Sequence, residues 1–200
     1  MPGRPRRAGL DCRRGPSAET RLISVGVFGS SLPSEPDSEY ESARELGRQI
    51  ARGGGRVVCG GYGGVMEAAC RGAAEAGGTS VGIVIAGRGA PNPWVTESIA
   101  ALDRADRLRL LREQTDSWIF LPRGLGTMLE LVWIAESVVK GDVRPRPLVL
   151  LGDSWRPVLE RAIAEGSDGA GARALAVSLR VVRSPEEAAA AALEPPQAFR

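Results

Sequence analysis

One repeated order constrains this chain more than any other feature: a short apolar run, a glycine-rich turn, then a stretch with helical spacing. Residues 22 to 29, Leu-Ile-Ser-Val-Gly-Val-Phe-Gly, are a run of the kind buried on both faces of a parallel sheet. The run ends in Gly29-Ser30-Ser31. After a Pro-containing loop, Ser38-Glu39-Tyr40-Glu41 reads as a capping box for an amphipathic helix with Ala43, Leu46 and Ile50 on one face, stopped by Gly53, Gly54 and Gly55. Arg56 to Cys59 reads as a second strand, and Gly60-Gly61-Tyr62-Gly63-Gly64 leads from it into an Ala-rich helix from Val65 to Ala76.

The order continues along the chain. Ser80 to Ile85 is a third strand, Gly87 to Pro93 is too rich in Gly and Pro to be regular, and Val95 to Leu102 is a candidate further strand. Arg104 to Thr115 has helical spacing through Leu108 and Leu111. Ser117 to Leu121 is a buried strand entering Pro122-Arg123-Gly124-Leu125-Gly126-Thr127, and a helix with Leu131, Ile134 and Val138 in register runs from Thr127 to Val139. Pro147 to Leu151 and Arg180 to Val182 read as strands, Ser154 to Ala164 as a helix, and Ser184-Pro185-Glu186-Glu187 as the cap of a last helix. Repeated βα units with short crossovers predict an α/β, Rossmann-like open sandwich: a mostly parallel sheet with helices on both faces.

The 200 residues suffice for one well-buried domain, placed at 21–194. Residues 1–20, where Arg4, Arg6, Arg7, Arg13 and Arg14 outnumber Asp11 and Glu19, read as a disordered basic tail, and 195–200 as a C-terminal tail. A net charge of +2 gives no basic face for nucleic acid, and no run reaches membrane-spanning length, so neither partner is expected. Three cysteines without metal-ligand or redox spacing, in a chain without a signal peptide, predict reduced thiols and a cytoplasmic protein. Cys59 and Cys70 read as small core residues.

The absence of histidine removes Ser-His-Asp and Cys-His nucleophile systems and His-ligated zinc together. Carboxylates, arginines and backbone remain. In open α/β sheets ligands bind beyond the carboxyl ends of the strands, where this chain carries Gly29, Ser30 and Ser31, then Gly60, Gly61, Gly63 and Gly64, then Gly87 to Pro93, then Pro122 to Thr127. None of these turns meets the dinucleotide fingerprint in register, and no Walker lysine follows the glycines. Free N–H groups at a helix start would hold phosphate, with Gly124, Gly126 and Thr127 the best placed. Thr127-x-x-Glu130 reads equally as a plain capping box. On periodicity, Arg107 is one of several arginines on a solvated helix face.

Several of these motifs coincide in one family. Pro122-Arg123-Gly124-Leu125-Gly126-Thr127-Met128-Leu129-Glu130 resembles the Pro-Gly-Gly-x-Gly-Thr-x-x-Glu signature of the LOG ("lonely guy") family. Val25-Gly26-Val27-Phe28-Gly29-Ser30-Ser31, the Gly60 to Gly64 turn with Val65-Met66, and Asn92-Pro93-Trp94-Val95-Thr96-Glu97 are similar to the wider group, and the likeness spans residues 22 to 165. It implies a phosphoribohydrolase that cleaves the N-glycosidic bond of a nucleoside 5′-monophosphate, with Glu130 as the catalytic carboxylate and Arg107 as the catalytic arginine. It implies a homodimer and requires neither metal nor cofactor.

The chain departs from the pattern at Arg123, where the signature has glycine, at Leu108, where a lysine commonly follows the arginine, and in a shorter Gly60 turn. The shorter turn looks like that of the molybdenum cofactor carrier branch. The alternative to hydrolysis is therefore a carrier that binds a nucleotide or phosphorylated cofactor without turnover, with Arg123 either adding a phosphate contact or obstructing one. The family's older lysine decarboxylase label fits poorly, because the one lysine, Lys140, lies outside the turns.

Overall fold

The computed structural model describes residues 21–166 and 169–194. The expected tails at 1–20 and 195–200, and Cys12, lie outside the described residues. In chain order the elements are β1 (Ile23–Phe28), α1 (Ser38–Arg52), β2 (Gly55–Cys59), α2 (Val65–Glu75), β3 (Ser80–Ile85), β4 (Glu97–Ala101), α3 (Arg104–Glu113), β5 (Ser117–Phe120), α4 (Leu125–Val139), β6 (Leu148–Leu151), α5 (Arg156–Gly166), α6 (Gly169–Ser178), β7 (Leu179–Val182) and α7 (Pro185–Leu193).

All seven strands pair in parallel in the order β4-β3-β2-β1-β5-β6-β7. The chain winds outward from β1 through β2, β3 and β4, then returns to the other side of β1 with β5. The strand order reverses between β1 and β5, which opens a crevice at their carboxyl ends. Strand alternation sorts the side chains into two cores. Val25, Val27, Val57, Ile119 and Leu121 face α1, α2 and α7, whereas Phe28, Val58, Trp118 and Phe120 face α3, α4, α5 and α6. Phe28 and Phe120, register partners across the β1–β5 seam, stack with centroids 4.8 Å apart. Cys59 and Cys70 are buried, free thiols in the first core, as expected of small apolar residues.

The Gly/Pro stretch between β3 and β4 is irregular, as expected, and is held by Asn92, which donates to the carbonyls of Gly61 (3.2 Å) and Tyr62 (2.9 Å). The structure departs from the sequence reading elsewhere. Helix α6 lies where glycines at 169 and 171 obscure helical periodicity. Ser38 is not a cap: α1 starts one residue after Asp37, whose carboxylate accepts instead from the Ser34 N–H (2.8 Å). The Ser184 cap is present, with its hydroxyl accepting from the Glu187 N–H (3.2 Å).

Helices α1 and α2 approach closely through small residues. A β-carbon at Gly47 of α1 would fall inside the van der Waals shell of the Ala69 carbonyl of α2, and one at Gly72 would strike the Arg44 carbonyl. In an open helix Gly→Ala is stabilising by about 1 kcal/mol. Here Gly47→Ala is expected to lower stability by about 1–3 kcal/mol through overpacking, read as a lower denaturant midpoint at unchanged slope; a raised midpoint would refute the close approach.

Candidate functional site

The crevice at the β1–β5 switch point opens into a cavity of about 580 Å³, within the range of small-ligand sites. Its walls come from the turns after β1, β2, β3 and β5 and from the starts of α3 and α4. One wall is the N-terminus of α4. Gly124 precedes this helix with φ 98°, a conformation that glycine adopts at little cost. The first ladder bond runs from the Met128 N–H to the Gly124 carbonyl (3.0 Å), and among the described residues the N–H groups of Leu125, Gly126 and Thr127 have no acceptor.

The Thr127 hydroxyl is buried and also unpartnered. This rules out the capping-box reading of Thr127-x-x-Glu130. The helix starts two residues earlier than the sequence suggests, so Thr127 is its third residue. Glu130 turns inward toward Arg107 rather than back to the Thr127 backbone. Free N–H groups converging at the positive end of a helix dipole form an anion-binding surface. Ser30 and Ser31, at the end of β1, complete it on the opposite side.

Arg107 does not lie on a solvated face. Its side chain is 12% exposed, and it enters the cavity from α3. Its Nε donates to the Ile83 carbonyl (2.8 Å), its Nη1 lies 3.4 Å from Glu130 Oε1, and the guanidinium covers the Tyr62 ring at 5.7 Å. Tyr62 is itself fixed, its hydroxyl accepting from the Ile85 N–H (2.9 Å). The guanidinium also lies against Gly60, where any β-carbon would collide with it. The glycine is therefore room for an arginine.

Glu130 is 13% exposed, and burial pushes its carboxyl up to about 7, against the opposing pull of Arg107 and, more weakly, Arg104. Desolvation outweighs the ion pair because the 3.4 Å contact is long and reaches one oxygen. A carboxyl that ionises near neutrality suits proton transfer or stabilisation of a forming cation at ordinary pH.

Of the residues expected at the site, Gly29, Ser30, Ser31, Gly60, Arg107, Gly124, Gly126, Thr127 and Glu130 line this one cavity. Gly61, Gly63 and Gly64 stand outside the lining. Gly61 packs against Gly82 and Val84, and Gly64 packs against the Ser30–Ser31 backbone, where the Val65 N–H donates to the Ser30 carbonyl (2.9 Å). Arg123 borders two neighbouring hollows. Its φ of 67° is costly for a non-glycine residue, by roughly 1–2 kcal/mol. Its guanidinium pairs with Glu39, a carboxylate only 7% exposed. Sequence reasoning missed Tyr62, Met66, Arg88 and Arg104 in the lining. Arg88 and Arg104 carried a signal, as cations immediately beyond a strand end and at a helix start.

With this geometry in view, the comparisons with known proteins agree on its class. The chain belongs to the SLOG cluster4 family, whose model matches residues 22–140, and so to the LOG group, close to its molybdenum cofactor carrier branch. It is 34% identical over 153 residues to a cytokinin riboside 5′-monophosphate phosphoribohydrolase of Rhodococcoides fascians, covering 72% of this chain and 77% of that relative. Among solved structures it is similar to the molybdenum cofactor carrier protein of Chlamydomonas reinhardtii, with TM-score 0.68 and 26% identity over 86% of this chain and 96% of that one. It is also similar to the molybdenum cofactor binding protein of Rippkaea orientalis, with TM-score 0.66 and 25% identity over 84% and 93%.

Gly60→Ala is expected to push the Arg107 guanidinium off its seat, weakening its hold on Glu130 and raising the Glu130 pKa above about 7. Carboxyl-carbon NMR titration reads this directly; an unchanged midpoint would show that Arg107 does not depend on that glycine.

Proposed function

We propose that the protein is a phosphoribohydrolase that cleaves the N-glycosidic bond of a nucleoside 5′-monophosphate, releasing base and ribose 5-phosphate. The observation that carries this reading is the Glu130 carboxyl, held by Arg107 in the cavity that the unpaired N–H groups of α4 also face. The relative of 34% identity, named a phosphoribohydrolase, supports it.

In this reaction the 5′-phosphate rests on the N–H groups of Leu125, Gly126 and Thr127, with the Thr127, Ser30 and Ser31 hydroxyls around it. Breaking the glycosidic bond leaves positive charge on the ribosyl carbon, which ionised Glu130 stabilises as glycosidase carboxylates do. The bonding pair leaves with the base. Water adds its oxygen to the sugar carbon and gives up one proton, which Glu130 accepts before the base takes it. Arg107 orients the substrate through its fork of donors.

Incubation with AMP and related 5′-monophosphates is expected to release free base and ribose 5-phosphate, and Glu130→Gln to lower the rate by about 100-fold or more. Because the reacting form is the carboxylate and burial raises its pKa, the rate should climb as pH rises through about 7. Thermal stabilisation by nucleotide with no base release, or equal release by the Glu130→Gln protein, would reject hydrolysis.

The structural likeness to molybdenum cofactor carriers favours a second reading, in which the same cradle holds a phosphorylated cargo without turnover. Arg123, paired with Glu39, borders the hollows beside this cradle. Stabilisation without base release supports this reading.

We also propose a homodimer formed through the outer face of α4. Leu129, Val132 and Trp133 are large apolar side chains open to solvent on that helix, close to the cavity. Light scattering should give twice the chain mass, and Val132→Asp with Trp133→Glu should give one. A wild-type monomer at micromolar concentration would refute the dimer.

A further inference from the structure

The turn that leads into the phosphate cradle is weakly tied by its own backbone. Upstream, Leu121 is anchored twice: its N–H donates to the Phe28 carbonyl (2.8 Å), and its carbonyl accepts from the Trp155 indole (2.7 Å). Downstream, the Gly124 carbonyl accepts from the Met128 N–H (3.0 Å). Between these anchors, the Pro122 and Arg123 carbonyls and the Arg123 and Gly124 N–H groups have no hydrogen-bond partner among the described residues. A segment without such bonds opens locally at low free energy.

One polar contact spans the gap. The Arg123 guanidinium pairs with Glu39, the second residue of α1. That helix is a firm post, since its Ala43, Leu46 and Ile50 are completely buried and its positive end favours a carboxylate in the first turn. Glu39 is itself buried, and its Oε1 has no donor, so among the described residues Arg123 is the partner that its charge has. Without it a buried carboxylate is left unpaired. The dependence is mutual. The positive φ of Arg123 is strained for a non-glycine residue, and such strain persists where the surroundings enforce it.

A guanidinium beside a phosphate cradle can act in two ways, with opposite consequences. As a direct ligand it must leave Glu39, so Glu39 competes with phosphate. As a strap it stays on Glu39, and the pair holds Gly124 in place while phosphate meets the N–H groups of Leu125, Gly126 and Thr127. Arg123 lines the two hollows outside the cavity and is not part of the cavity lining, which favours the strap.

Resting on the nucleotide reading of the cavity, we infer that Arg123 and Glu39 form a strap that fixes the phosphate turn against α1. Arg123 is thus a positioning residue for the 5′-phosphate and makes no contact with it. Donors already held in their bound arrangement bind an anion without a further ordering cost.

The test uses the full chain with Glu39→Met, Arg123→Met and the double variant. Amide exchange by NMR at Met128, whose N–H is bonded to the Gly124 carbonyl, should quicken at least tenfold in each variant, while exchange at Ile119 in β5 stays as in wild type. Titration calorimetry with AMP should show at least fivefold weaker binding in each single variant. The double variant should be no weaker than the singles, because all three break one tie. Tighter AMP binding by Glu39→Met makes Arg123 a direct ligand and overturns the inference, as does unchanged Met128 exchange or a double variant weakened by the product of the two single effects. If wild type binds no AMP, the nucleotide reading falls, and Met128 exchange alone decides whether the strap holds the turn.

Discussion

Seating the Arg107 guanidinium is the physical constraint on which the rest of the site depends. A bare cation on a helix would turn to water; this one is held by the Ile83 carbonyl, the Tyr62 face and the space left at Gly60. Two of those supports come from the turn after β2 and the third from β3, so the arginine reads the placement of those two strands directly. The turn that carries Tyr62 is in turn held by Asn92, reaching back from the β3–β4 crossover. Only with Arg107 in place can Glu130 sit buried without being pushed still further toward its neutral form.

Much of the fold was legible because strand and helix periods are strong signals where both faces of a sheet are covered. Val25 and Val27 beside Phe28, or Ile119 and Leu121 beside Phe120, divide between two cores as alternation demands. What escaped were features decided by tertiary contact. The start of α4 was obscured because Gly124 in a positive-φ conformation allows the helix to begin before Thr127, and local capping rules see only the threonine and the glutamate. Helix α6 was obscured by its glycines.

The site was legible in a similarly uneven way. Glycines in turns announce close approach but not what approaches. Gly60 accommodates an arginine, Gly61 another strand and Gly64 the backbone after β1, and none of these partners is near in sequence. Arg107 looked like a surface residue because the residue that buries its charge, Glu130, lies 23 positions away. Arg123 shows the converse. Its place in the signature turn suggests a phosphate contact, whereas its side chain reaches across to Glu39 at the start of α1.

Helix α4 divides its work by angle around the axis. Leu131, Ile134, Ala135 and Val138 point into the sheet, Glu130 points to the cavity, and Leu129, Val132 and Trp133 point to solvent. Past the first turn, no side chain serves two of these directions. A change on the outward stripe would therefore act on what meets that face, while a change at Glu130 would act on the cavity, although both sit on one rigid rod.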